Sequence, residues 1–353
     1  MIGGSESPLG TRIANRHPRY IIGGVAAGFL PIEGLQIGHA QDDQALTGCT
    51  VLLGRAGMVA ACDVRGGATG ERELETLRPG HLVERIHALV LAGGSAFGLE
   101  AAAGVMHWCE ERGIGFDTGV ARVPIVSAAI LFDLGFGQLG RSVSPHPRRP
   151  DAAMGYAAAE AAANTPAGEA VAEGNVGAGT GATVGKLFGT ARAMKSGIGC
   201  WTEDVSGGAR VAVLAAVNAF GDIRDPESGQ ILAGARAGVD SHEFIDTALA
   251  MRQGAVREGF GGPNTVLVAV ATNAVLSRTE AQRLATMAAA GMGRVVSPAH
   301  TTFDGDILFA LSAGSARADV NALGAAAAEA TARAIVRGVT QARSVGGLRG
   351  LAG

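Results

Sequence analysis

Thr265 stands at the mouth of an apolar run, Val266-Leu267-Val268-Ala269-Val270-Ala271, directly after the small segment Gly261-Gly262-Pro263-Asn264. Asp304 and Asp306 flank Gly305 at the mouth of a second run, Ile307-Leu308-Phe309-Ala310-Leu311. Two carboxylates on alternate residues at a strand entrance point to one side, so they can face one site. Asn218 lies near the far end of a third run, Arg210 to Phe220, where a buried amide has to find partners. Each feature also has an ordinary reading. Gly-Gly-Pro-Asn and Asp-Gly are turn sequences, Thr is a common first strand residue, and Asn is a common strand-end residue. The chemical reading is acyl transfer by a hydroxyl. An amino-terminal Thr can use its own α-amine as base, with no histidine, because that amine titrates at roughly 7.7 to 8.0. Thr265 is internal, so the chain would first have to cleave itself between Asn264 and Thr265. The small residues 261–264 would permit the strained geometry of an N-to-O acyl shift.

A competing chemistry lies at Gly177-Ala178-Gly179-Thr180-Gly181-Ala182-Thr183-Val184-Gly185-Lys186. Gly177, Gly179 and Ala182 satisfy a loose dinucleotide fingerprint, which makes a nucleotide-binding module the alternative. The P-loop pattern fails at position 180, where it needs Gly, and after Lys186, where Leu187 replaces Ser or Thr. No clear strand precedes the loop and no clear helix follows it. Gly93-Gly94-Ser95-Ala96-Phe97-Gly98 joins a strand to a helix but matches neither phosphate motif nor a G-x-S-x-G elbow.

Composition narrows the class. The chain has 353 residues, 47% hydrophobic and 17% charged, with a formal net charge of -3, so it carries neither a nucleic-acid footprint nor a basic membrane patch. Its 55 glycines lie inside apolar runs rather than in a collagen-like repeat, which suggests close backbone packing and sharp turns. The 4 cysteines, Cys49, Cys62, Cys109 and Cys200, have no metal-ligand spacing and read as buried thiols in a reducing compartment. Neither a signal-like start nor a bilayer-length apolar stretch is evident, which predicts a cytoplasmic protein.

The elements that must position these residues are mostly strands. Expected strands are Ile32 to Gly38, a hairpin of Cys49–Leu53 and Met58–Val64 turning at Gly54 to Gly57, Ala88–Ala92, Arg210–Phe220, Val266–Thr272 and Ile307–Leu311. Expected helices are Leu99 to Glu111, Asp151 to Ala163 with Asp151 as N-cap, Asp240 to Gly254, Thr279 to Gly291 opened by a Ser277–Glu280 capping box, and Val320 to Val336. Residues 1–20 read as a loose tail, Arg141 to Pro150 as a surface loop, and 21–353 as one domain. The pattern predicts an α+β layered fold of two antiparallel sheets with helices outside.

These motifs together resemble the DmpA-type family of L-aminopeptidase/D-esterases, β-aminopeptidases and nylon-oligomer hydrolase. The resemblance is carried by Gly34-Leu35-Gln36-Ile37-Gly38-His39, Asp63-Val64-Arg65-Gly66-Gly67, Leu91 to Leu99, Gly177 to Ala182, Asn264-Thr265 and Asp304-Gly305-Asp306. It implies a four-layer αββα fold of the N-terminal-nucleophile type and self-cleavage into chains 1–264 and 265–353. It also implies homo-oligomers, commonly tetramers of such chain pairs.

By the same resemblance Thr265 matches the nucleophile, Asp304 and Asp306 the groups that hold its amine and hydroxyl, Asn218 the oxyanion amide, and Lys186 a lysine near the nucleophile. Phe132 stands where some members have a Tyr. Thr after Asn, and Asp at both acidic positions, are features of the nylon-oligomer branch. His300 reads as structural. The expected substrates are small aminoacyl amides, esters or short peptides, with no cofactor, metal, nucleic acid or membrane partner.

Overall fold

The computed structural model describes residues 28–29, 31–136, 148–166, 169–257 and 264–352. The expected tail, residues 141–147 of the expected surface loop, and Gly261, Gly262 and Pro263 lie outside them. Eight strands carry the architecture: β1 (Gln36–Asp42), β2 (Thr47–Val64), β3 (Arg85–Ala92), β4 (Val126–Ile130), β5 (Ile198–Val205), β6 (Ala209–Asn218), β7 (Thr265–Ala274) and β8 (Ile307–Ala316). Five helices accompany them: α1 (Ala101–Glu110), α2 (Ala152–Asn164), α3 (Thr247–Arg252), α4 (Arg278–Val295) and α5 (Val320–Thr340).

The layers follow from side-chain alternation. In β7, Val266, Val268 and Val270 share a core with α4 and α5, while Leu267, Ala269 and Ala271 face the opposite way. The latter meet Leu52, Leu89 and Leu91 of β2 and β3 in a second core between two sheets. Val51, Val90 and Ala92 then pack on α1 and α2. The strands are hydrogen-bonded into one continuous sheet that folds over at β2, so the order is helices, sheet layer β5-β6-β7-β8, sheet layer β1-β2-β3-β4, helices, the expected αββα arrangement. All six residues from Val266 to Ala271 are fully buried. Burying each larger aliphatic side chain stabilises the fold by about 1.5–3 kcal/mol.

Three expectations need correction. The two sheets are mixed rather than antiparallel, because β7 pairs parallel with β8 and β3 parallel with β4. The helix α4 supplies the crossover that a parallel β7–β8 pair requires. The expected hairpin at Gly54–Gly57 is instead one continuous strand, β2. Its first half pairs with β1 and β3, its second half pairs with β8, and its register with β3 shifts between Leu53 and Met58. Gly54 to Gly57 is therefore a bulge that bends β2 from one sheet into the other. The expected helix Asp240 to Gly254 shortens to α3, with Asp246 as its N-cap, accepting a bond from Leu249 N at 3.0 Å.

Asp151 does cap α2, accepting from Met154 N at 2.9 Å, and Ser277–Glu280 forms a capping box at α4. The glycine content has a packing cause. A Cβ on Gly104 would lie 1.7 Å from Ala152 O, and one on Gly155 would lie 1.9 Å from Ala101 O. Only glycine lets α1 and α2 approach this closely.

Candidate active site

Thr265 is the first residue of β7, and Asn218 is the last of β6; the antiparallel register pairs them directly. On the other side of β7, the segment Asp304-Gly305-Asp306 leads into β8, with Asn264 bridged to Asp304 in parallel. One sheet end thus gathers Asn218, Asn264, Thr265, Asp304 and Asp306, and each is at least 98% buried.

The Asn264–Thr265 peptide is held firmly. Asn264 N donates to Phe303 O at 2.7 Å, and Gly305 N donates to Asn264 O at 2.6 Å. The Thr265 hydroxyl donates to the same Asn264 carbonyl oxygen at 2.5 Å. The hydroxyl is therefore hydrogen-bonded to the carbonyl oxygen of its own preceding peptide bond, which keeps it beside the bond it would have to attack.

The two carboxylates flank this peptide, and their hydrogen bonds go to other groups. Asp306 Oδ1 accepts from Val266 N at 2.8 Å, and its Oδ2 accepts from His300 N at 3.2 Å and lies 2.9 Å from His300 Nδ1. Asp304 Oδ1 accepts from Phe220 N at 3.2 Å, and its Oδ2 accepts from Thr301 N at 3.0 Å and Thr301 Oγ1 at 2.6 Å. Burial, and then the charge of Asp306, push the Asp304 carboxyl up to about 6. In the intact chain neither carboxylate receives the Thr265 hydroxyl, which is committed to Asn264.

Lys186 comes from the glycine loop and is buried. Its Nζ donates to Asn218 Oδ1 at 2.6 Å and Asn218 O at 3.0 Å. Burial holds the ammonium well below its ordinary range, with Asp304 acting in the opposite direction. Asn218 Oδ1 also accepts from Thr183 N at 3.1 Å, and Asn218 Nδ2 donates to Phe132 O at 3.1 Å. The amide is thus oriented on both ends, with its oxygen on Lys186 and its nitrogen toward Phe132. Residue 132 contributes its backbone carbonyl to the site, whatever its side chain.

The loop from Gly177 to Lys186, the basis of the nucleotide-binding alternative, is buried throughout. A Cβ on Gly179 would lie 2.4 Å from Ile198 N, on Gly181 2.3 Å from Leu46 O, and on Gly185 2.0 Å from Gly234 C. Its glycines make room for neighbouring backbone. Buried Lys195 ties the loop down, donating to Gly179 O at 3.0 Å and Ala182 O at 2.9 Å.

Two contacts were not evident in the sequence. His300, read as structural, touches Asp306. The loop Arg65-Gly66-Gly67-Ala68 clamps the acidic segment from outside: Arg65 N and Gly66 N donate to Asp306 O at 2.9 and 3.2 Å, and Ala68 N to Asp304 O at 2.8 Å. Its paired glycines were the available signal, but nothing local named their partner. Among the described residues no group of three or more His, Cys, Asp or Glu is arranged to hold a metal ion. No helix among them is long and apolar enough to cross a membrane.

Comparison with known proteins gives the family and the fold. The model of peptidase family S58 matches residues 30–352. An uncharacterised aminopeptidase of Mycobacterium tuberculosis is 38% identical over 350 residues, covering 90% of this chain and 94% of that protein. A 6-aminohexanoate-oligomer endohydrolase of an Agromyces species is 34% identical over 282 residues, covering 79% of this chain and 73% of that one. Among solved structures, a Burkholderia β-aminopeptidase superposes with a TM-score of 0.60 at 22% identity, over 94% of this chain and 93% of that one. The L-aminopeptidase D-Ala-esterase/amidase of Ochrobactrum anthropi, described as a variant of the Ntn hydrolase fold, has a TM-score of 0.59 at 17% identity, over 88% and 85%. These two structures bear on the fold.

Proposed function

This chain belongs to peptidase family S58 and is a hydrolase of amide bonds; we propose that it is self-processing, with Thr265 cutting its own junction with Asn264 and then serving as the amino-terminal nucleophile. The observation that carries this reading is the 2.5 Å contact between Thr265 Oγ1 and the Asn264 carbonyl oxygen. In the first step Thr265 Oγ bonds to the Asn264 carbonyl carbon and the Asn264–Thr265 C–N bond breaks. The hydroxyl proton ends on the released Thr265 amine. Water then hydrolyses the ester, leaving the Asn264 carboxylate and a free Thr265 hydroxyl and amine.

In turnover the Thr265 amine takes the hydroxyl proton as Oγ attacks a substrate carbonyl, and returns it to the leaving amine. Asp306 is suited to hold that amine, because its Oδ1 already accepts from the N–H of the next residue. Asp304 lies on the other side of Gly305 and adds a second carboxylate. The Asn218 amide is suited to the oxyanion, a role typically worth about 2.7–4 kcal/mol. Lys186 fixes the Asn218 oxygen.

The substrates are small aminoacyl amides, esters, short peptides or linear ω-amide oligomers. The active form is an oligomer of processed chain pairs. Intact-mass analysis of active protein tests the reading: two chains split after Asn264 are expected, and a single full-length chain with full activity would overturn it. A panel of aminoacyl p-nitroanilides would then rank the substrates.

A further inference from the structure

Resting on the self-cleavage reading, we infer that the backbone N–H of Gly305 is the oxyanion donor for self-cleavage, and that this donor is separate from the Asn218 amide used in turnover. When Thr265 Oγ adds to the Asn264 carbonyl carbon, the negative charge develops on Asn264 O. Gly305 N already donates to that oxygen at 2.6 Å. A donor aimed at the charge before it forms costs no reorganisation at the moment of reaction. Asn218, in contrast, reaches Thr265 from the β6 side, while Gly305 reaches the scissile carbonyl from the β8 side. The two donors therefore lie on opposite flanks of the nucleophile.

The surroundings fit a donor that has to stay in place. Ala68 N holds Asp304 O at 2.8 Å, in the same peptide plane as the Gly305 N–H, and Arg65 N holds Asp306 O at 2.9 Å one residue beyond, so the segment is tethered before and after Gly305. Residue 305 has to be Gly here: a Cβ would sit 2.6 Å from Ala68 O and 2.9 Å from Thr265 Oγ1. Gly66 is needed for the same clamp, since its Cβ would lie 2.2 Å from Asp304 O. The glycine loop and the Asp-Gly-Asp segment thus act as one device. It polarises the bond to be cut and leaves space for the attacking hydroxyl.

The direct test replaces the Gly305 amide N–H with an ester oxygen, by incorporating glycolic acid at position 305 of the full chain. Self-cleavage is followed by intact mass, and turnover is measured once the variant has processed. Self-cleavage is expected to slow by about 10²–10³-fold, the usual effect of losing one oxyanion donor. Turnover of the processed variant is expected to lose much less than self-cleavage does, because in turnover the donor worth about 10²–10³-fold is the Asn218 amide. Self-cleavage within twofold of wild type would overturn the assignment, and an equal loss of turnover would overturn the separation. Failure of the wild-type chain to cleave at all would instead reject the reading beneath it. A second measurement does not need the ester variant to fold. In the full-length Thr265→Ala chain, the Gly305 amide hydrogen is expected to exchange only on global unfolding. Exchange at the rate of an open loop would remove the contact on which the inference stands.

Discussion

Asn218 and Thr265 are partners across the antiparallel β6–β7 ladder, so the side-chain amide and the hydroxyl leave adjacent strands at the same sheet end. This places the amide next to the acyl group that Thr265 would carry. Asn218→Ala is expected to lower kcat by about 10²–10³-fold. It also removes the acceptor of Lys186 Nζ and Thr183 N, so a stability loss of about 1–3 kcal/mol should accompany it. Steady-state kinetics and urea unfolding on one preparation separate the two effects. Unchanged kcat in a folded variant would remove Asn218 from the reaction.

Thr265→Ala should yield one uncleaved chain without turnover. The Ala keeps the strand and loses a hydroxyl whose hydrogen bond goes to Asn264 O. Mass spectrometry reads the cleavage and circular dichroism the fold. Wild-type hydrolysis of an aminoacyl amide by this variant would reduce Thr265 to an ordinary strand residue.

Asp306→Asn tests more than a turn. Both Asp306 oxygens accept backbone N–H groups, from Val266 on one side and His300 on the other. An Asn presents an NH2 group to one of these donors, and that clash costs about 1–3 kcal/mol. Processing should slow by orders of magnitude in addition to the lowered melting temperature. A variant with wild-type stability and wild-type processing would contradict both the geometry and the role.

The acid limbs of the two reactions should differ. Asp304 is raised to about 6, chiefly by burial, so its charged form is lost as pH falls through that value rather than near the ordinary carboxylate range. Self-cleavage, which occurs before any free amine exists, should therefore fall off in acid near pH 6. In the processed protein the Thr265 ammonium favours the Asp304 carboxylate, which moves the limb of turnover to lower pH. Turnover should also rise toward alkaline pH as the amine deprotonates at roughly 7.7 to 8.0. Superimposable acid limbs would show that Asp304 is not the group titrating.

Dialysis against EDTA should leave both reactions unchanged, and ATP or NAD should alter neither. Gly179, Gly181 and Gly185 abut neighbouring backbone, and Gly177 abuts the Thr50 and His39 side chains, rather than an open cradle. Loss of activity in chelator restored by zinc, or tight nucleotide binding by calorimetry, would reopen the alternative.

The amphipathic pattern alone determined much of this protein. Continuous apolar runs placed β6 and β7 near their true bounds and β8 at its start, although β8 runs on to Ala316, and short-range capping signals at Asp151 and Ser277 placed α2 and α4. Local hydrogen bonds and side-chain period need only neighbouring residues, so they can be read from a string. The types Thr265, Asp304, Asp306, Asn218 and Lys186 were legible as well, though their grouping came from resemblance to a family. Spacing along the chain says nothing about which strand ends meet.

Tertiary structure decided that meeting. Register pairs Asn218 with Thr265, and the parallel β7–β8 pair lays Asp304 beside Asn264. The first depends on the long connection through α3 and the second on the α4 crossover, and the path of each is set by tertiary packing, not by local propensity. The bend of β2 between sheets was unreadable because Gly54 to Gly57 has the composition of a turn, and only its pairing with two sheets makes it a bulge. The Gly305 N–H and the Arg65–Ala68 clamp were hidden for the deepest reason. Backbone groups carry no sequence signature, and contacts between distant segments exist only once the chain has folded.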